Sequence, residues 1–152
     1  DVAGGGVLTN FIASFDKAFL KGVTAASQSA TFTAGVEIPE YVFICFQMTF
    51  AAITVALVLG SVVERMKFSA MVLLSVLWGT FVYCPIAHWV WSDTGWLNPA
   101  NKAASFPAFD FAGGTVVHVS SGISALVCAD TSTGAGAASS VTPPAKFPLK
   151  RV

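Results

Sequence analysis

The sequence predicts an all-α, polytopic transmembrane helical bundle, and three observations carry that prediction. The 152 residues are 55% hydrophobic and only 11% charged, whereas a soluble domain carries about 25% charge. The few charges are segregated: the stretches 41–63, 68–91 and 111–129 contain no Asp, Glu, Lys or Arg. Each has the length, roughly 20 residues, that crosses a hydrocarbon core as a helix. The same composition excludes two other classes. A disordered chain would lack this apolar content. A nucleic-acid binder would need a basic excess to neutralise phosphates, and here eight basic residues face eight acidic ones.

Taken in order, residues 1–40 read as a polar loop containing Gly and Ser. Within it Phe11, Ile12, Phe15, Phe19 and Leu20 recur at helical spacing, which predicts a short interfacial helix over Phe11–Val23. The first span, 41–63, turns tightly through Glu64-Arg65-Met66-Lys67 into the second, 68–91, whose end carries His88, Trp89 and Trp91. The stretch between Trp91 and Asp110 reads as an insertion that reshapes the loop there. The third span, 111–129, is the least apolar, with Gly113, Gly114, His118, Ser120, Ser121 and Gly122 inside it. Small and polar residues of this kind let helices approach one another in a membrane, so this helix is expected among others rather than against lipid. Residues 130–152 are small, polar and proline-containing and read as a disordered tail. Cys45, Cys84 and Cys128 form no CxxC pair and read as buried free thiols. No pattern calls for a metal or a cofactor.

The connections predict the orientation. Arg65 and Lys67 lie in the first turn and Lys146, Lys150 and Arg151 in the tail, while residues 1–40 carry two lysines against four acids. Basic residues near helix ends favour the cytoplasm, so residues 1–40 are expected outside and 130–152 inside a cell membrane, either plasma or inner. Trp89, Trp91 and Trp96 then mark the outer interface. A chain that starts outside without a basic n-region and a short apolar core calls for an upstream segment. It therefore reads as part of a longer protein.

His118 is the most informative single residue. If the third helix starts at Asp110, His118 lies about 12 Å along it, near mid-membrane, where an ionisable group points to function. The alternative is a structural histidine bonded to a neighbouring helix. Gly114 and Gly122 flank it at one helical turn on either side, leaving room for a close helix or a narrow lumen. Asp110 opens the same helix and either caps its free amides or attracts a substrate. Phe46 and Phe50, four apart, share one face of the first helix. With Trp91 at the same side, these rings offer faces for a small cation, worth up to about 2 kcal/mol when desolvated. No fixed charge lies between the aromatics and the histidine. A metal ion or anion would need charged or carbonyl rings, so such a path favours a weak cation that sheds its proton and passes as the neutral molecule.

Four blocks then resemble one family. They are Phe46-Gln-Met-Thr-Phe50-Ala-Ala-Ile-Thr, the Glu64-Arg65 turn with Phe68-Ser, Tyr83-Cys-Pro-Ile-Ala-His-Trp-Val-Trp91, and Asp110-Phe-Ala-Gly-Gly-Thr-Val-Val-His118-Val-Ser-Ser-Gly122. In order, over residues 38–129, they resemble the ammonium transporter (Amt/Mep/Rh) family, and Trp91 resembles its Amt/Mep branch. The resemblance implies a homotrimer with one pore per subunit, each subunit of eleven helices in two inverted halves. The three spans here resemble the third, fourth and fifth. It also implies an ammonium-recruiting vestibule at Phe46 and Trp91, a gating phenylalanine at Phe50, support from behind by Asp110, and a pore histidine at His118 that relays or accepts the proton. A cytoplasmic regulatory protein is an implied partner. The chain departs from the pattern after Ala129, where the family continues with a Gly-x-Arg turn and another helix. A second pore histidine, a recruiting serine and a second gating phenylalanine would come from other segments, and three helices cannot enclose that pore. The isolated chain is expected not to conduct. An ammonium sensor of the same fold and a non-conducting truncated copy are the alternatives. An intramembrane hydrolase is disfavoured by the separation of Asp110 from His118.

Overall fold

The computed structural model describes residues 11–136 apart from 13, 32, 103 and 105. Two short strands, β1 (Gln28–Ala30) and β2 (Glu37–Pro39), pair antiparallel with Ser29 opposite Ile38. Four α-helical pieces follow: α1 (Glu40–Gly60), α2 (Phe68–Trp78), α3 (Cys84–Trp91) and α4 (Ser120–Gly136). A π turn, Gly79–Tyr83, joins α2 to α3 into one helix over Phe68–Trp91, and a second π turn, Gly114–Val119, leads into α4.

Pro85 accounts for the first π turn. It has no N–H to donate and its ring crowds the carbonyl one turn back. Widening the preceding turn lets the helix continue past it instead of breaking. The apolar run is thus preserved at full length. Glu40–Gly60 has a mean hydropathy of 2.4 and Phe68–Trp91 of 1.9, and both are long enough to cross a membrane.

The third predicted span is helical, but with different ends and a weaker apolar signal. It starts at Gly114 rather than 111 and runs to Gly136 rather than 129. It is not among the helices apolar enough to span by composition, because His118, the serines and the glycines dilute its valines. Helical structure therefore enters the predicted tail. Thr131 donates its hydroxyl to the Val127 carbonyl at 2.9 Å and Ser132 to that of Ala129 at 2.9 Å, which satisfies acceptors of the last turns. The rest of that predicted tail, 137–152, lies outside the described residues, as do residues 1–10 of the predicted loop.

The predicted helix over Phe11–Val23 does not form. Only a 3₁₀ turn, Ala18–Leu20, is present, and Phe19 and Leu20 have left-handed φ of 55° and 61°. A helix this short is marginal without a surface beneath it, and Phe15 and Phe19 are exposed. The segment is held by point contacts instead. Lys17 Nζ lies 2.7 Å from Glu40 Oε1, the Tyr41 hydroxyl donates to the Val23 carbonyl, and Trp89 Nε1 donates to the Phe11 carbonyl at 3.0 Å.

The core forms where α1, the Phe68–Trp91 helix and the Gly114–Gly136 helix meet, around Val58, Trp78, Tyr83, Val90 and Val116. Thr54 and Val58 of α1 are buried one turn apart, the spacing of a packed helical face, and Val62 in the turn just after it is buried with them. Trp78 Nε1 donates to Ser124 Oγ at 3.0 Å, tying α2 to α4. Only 11% of either spanning stretch is buried within the chain, so most of this apolar surface is left for lipid or other helices. The cysteines are free, as expected, but Cys45 and Cys84 lie on that exposed surface rather than in the core.

Candidate aromatic and carboxylate site

Four of the five predicted site residues form one continuous chain of contacts. The Phe46 and Phe50 rings meet edge to face with centroids 5.1 Å apart, as their shared face of α1 dictates. Phe50 in turn meets the Trp91 ring at 5.5 Å and 77°. Edge-to-face pairs at this spacing are favoured by the ring quadrupoles. Trp91 Nε1 donates to Asp110 Oδ2 at 2.9 Å. Phe50 is thus the middle ring of the cluster, with Phe46 at its open edge, 52% exposed.

Asp110 does more than close this chain. Its Oδ1 accepts the Thr115 amide at 2.7 Å and its Oδ2 the Val116 amide at 3.3 Å. The carboxylate therefore caps a helix whose first residues lie four to six positions further on, and a negative charge there is stabilised by the positive end of the helix dipole. With those two amides taken, the amides of Val117 and His118 both turn to the Gly113 carbonyl, at 2.9 and 3.0 Å. The i to i+5 bond of His118 makes the turn a π turn, a feature that recurs at functional sites. Sequence spacing found the cap but placed the helix start too early.

The turn itself depends on Gly113, which has φ +77°. A Cβ there would lie 2.7 Å from Val117 Cγ2 and 3.8 Å from Phe50 Cε1. Gly114 is undemanding, since its Cβ would meet Asp110 Oδ1 at an ordinary 3.5 Å. Gly113→Ala is therefore expected to lower stability by about 1–2 kcal/mol, the cost of left-handed backbone at a residue with a Cβ. Gly114→Ala should change it by less than about 0.5 kcal/mol. Denaturant unfolding in micelles, read by tryptophan fluorescence, compares the two.

His118 is placed apart. It lies in the second π turn, four residues after the helix start, about 6 Å along the axis rather than 12 Å from an origin at Asp110. Its side chain is exposed on this chain. Val119, Ile123, Leu126 and Val127 are exposed with it, so the histidine belongs to a surface that faces away from the described core. Sequence reading missed the role of Gly95, which packs so closely on the carbonyls of His88 and Trp89 that no Cβ fits. Its one sequence signal was a glycine four residues past the last apolar position of α3.

Bundled apolar helices, two of them long enough to cross a membrane, define the class as a helical membrane protein, with the aromatic cluster and its carboxylate at one end of the bundle. The comparison with known proteins makes this specific. Residues 6–133 match the model of the Ammonium Transporter Family, and the chain belongs to that family. It is 51% identical over 92 residues to the ammonium transporter of Bacillus subtilis, covering 60% of this chain and 21% of the relative. The ammonium transporter of Mycobacterium tuberculosis is 47% identical over 124 residues, covering 72% of this chain and 25% of the relative. That of Aquifex aeolicus is 54% identical over 89 residues, covering 59% and 19%. The chain thus spans about a fifth to a quarter of the length of these relatives. No solved structure matches it.

Proposed function

We propose that this chain forms the recruiting mouth and one wall of the pore in an ammonium and methylammonium transporter of the cell membrane, with residues 1–40 outside and 130–152 inside. The observation that carries the reading is the unbroken chain Phe46–Phe50–Trp91–Asp110 in a member of a transporter family. Ammonium is a small cation with four N–H donors, and it approaches the faces of Phe46 and Trp91 through cation–π attraction. Both oxygens of Asp110 already accept N–H bonds, so the carboxylate acts through its negative field and by fixing Trp91. It does not act as a base. Past the Phe50 gate the cation gives its proton to the His118 imidazole, which relays it onward, and ammonia continues along an apolar path. The exposed face bearing His118 is where the opposite wall, supplied by other segments of a trimeric transporter, would close the pore.

The test uses a chimera in which the matching 92 residues of this chain replace those of the Bacillus subtilis relative, expressed in cells without ammonium transport of their own. The chimera should take up methylammonium. Trp91→Ala and Phe46→Ala should raise the half-saturating concentration about tenfold or more, the factor for losing ~1.4 kcal/mol of attraction, with a smaller loss in maximal rate. A chimera that reaches the membrane but transports nothing, or variants with unchanged concentration dependence, would rule the assignment out.

A further inference from the structure

Segment 92–109, read from sequence as an insertion, is a built connector between Trp91 and Asp110. Its first half closes the end of α3: the Ser92 amide donates to the His88 carbonyl at 3.2 Å and the Leu97 amide to that of Trp89 at 3.0 Å. Its second half is anchored by the Ala108 amide, which donates to the Leu97 carbonyl at 2.8 Å, two residues before Asp110. Between them sits Asn98, only 7% exposed. Its Nδ2 donates to the Ser92 carbonyl at 2.8 Å, and its Oδ1 accepts the Ala100 amide at 2.7 Å. Its own amide donates to the Gly95 carbonyl, and its carbonyl accepts the Asn101 amide. A neutral amide is the side chain that offers a donor and an acceptor at once. Burying it without those partners would be costly.

The bonds therefore form a closed ring. It runs from Trp91 through Ser92 and Asn98 to Leu97, then through Ala108 to Asp110, and returns to the Trp91 indole. We propose that Asn98 is a positioning residue that sets the distance between the Trp91 indole and the Asp110 carboxylate through the 92–109 connector. The effect of Asn98 on ammonium recruitment rests on the function proposed above. Its effect on the Trp91–Asp110 contact does not.

The contact is read directly from the indole N–H signals of the ¹⁵N-labelled chain in micelles, with Trp91 assigned by its loss in Trp91→Phe. Trp78, bonded to Ser124 at a separate place in the bundle, is the internal control. Asn98→Leu is expected to shift the Trp91 indole signal and speed its hydrogen exchange at least about tenfold, with Trp78 unchanged. Asn98→Asp keeps the acceptor for Ala100 but replaces the donor to Ser92 with an oxygen that faces its carbonyl. It should move the Trp91 signal in the same direction and serves if the leucine variant does not fold. An unmoved Trp91 signal, or Trp78 responding as strongly as Trp91, overturns the proposal. In the chimera the same variants should raise the half-saturating methylammonium concentration more than they lower the maximal rate. A selective change at Trp91 with unaltered uptake would leave the positioning role standing and count against the recruitment reading.

Discussion

Asp110→Ala is expected to destabilise the chain by about 2–4 kcal/mol, the sum of a lost helix cap and a lost bond to a charged acceptor. The carboxylate receives three N–H donors, from Trp91, Thr115 and Val116. These lie on two separate helices, so the substitution uncaps one and frees the aromatic ring at the end of the other. The site is partly buried, so water can reach some of the freed donors, but the Val116 amide belongs to a fully buried residue and an unmet donor there accounts for much of the cost. Asp110→Asn separates charge from hydrogen bonding. Its single amide oxygen can serve two of the three donors, while its NH₂ faces the third, so about half the loss is expected. Asp110→Glu keeps the charge but moves it by one methylene, out of reach of at least one partner. Unfolding in mixed micelles with increasing denaturant, followed by tryptophan fluorescence, ranks the series. If alanine and asparagine unfold with the native protein, Asp110 does not hold the site together. In the chimera the alanine variant should also lose uptake, because Trp91 loses its anchor.

Much of this arrangement was legible in the sequence because membranes simplify the problem. A helix is the one way an isolated segment satisfies its backbone in lipid, so uninterrupted apolar runs located Glu40–Gly60 and Phe68–Trp91 closely. The pairing of Phe46 with Phe50 followed from helical periodicity alone. The third helix was harder. Asp110 does cap it, but across the left-handed pair Ala112 and Gly113, and spacing cannot show that a cap reaches its helix over a turn. The depth assigned to His118 inherited that error. The β1–β2 pairing was hidden because two three-residue strands carry no alternation to detect, and the Thr31 amide and hydroxyl that both donate to the Val36 carbonyl beside them have no sequence signature. Phe11–Val23 failed for the opposite reason: the period was present, but Phe15 and Phe19 in the middle of the stripe stay exposed with no described surface to reward them. Asn98 had no sequence signal, since a loop asparagine is ordinary until its amide is seen buried and fully bonded.

His118→Ala should separate function from folding in the opposite sense to Asp110→Ala. The imidazole is exposed on this chain and faces away from the core formed by Val58, Trp78, Tyr83, Val90 and Val116. Its removal should therefore change the stability of the isolated chain by less than about 0.5 kcal/mol, as for surface substitutions. In the chimera, the same change should cut methylammonium uptake by about 100-fold or more, the scale of losing a positioned proton acceptor, with protein still in the membrane. His118→Asp tests the chemistry more sharply. It supplies a proton acceptor of opposite charge type, and a fixed carboxylate inside an apolar pore would retain the cation instead of releasing ammonia, so uptake should fail again. A structural histidine predicts the reverse pattern: a stability loss in the chain and uptake lost only in proportion to protein missing from the membrane. Parallel losses of stability and uptake at both residues would make His118 a packing residue, whereas stability lost at Asp110 and uptake lost at His118 would divide the site into the part that holds the mouth and the part that handles the proton.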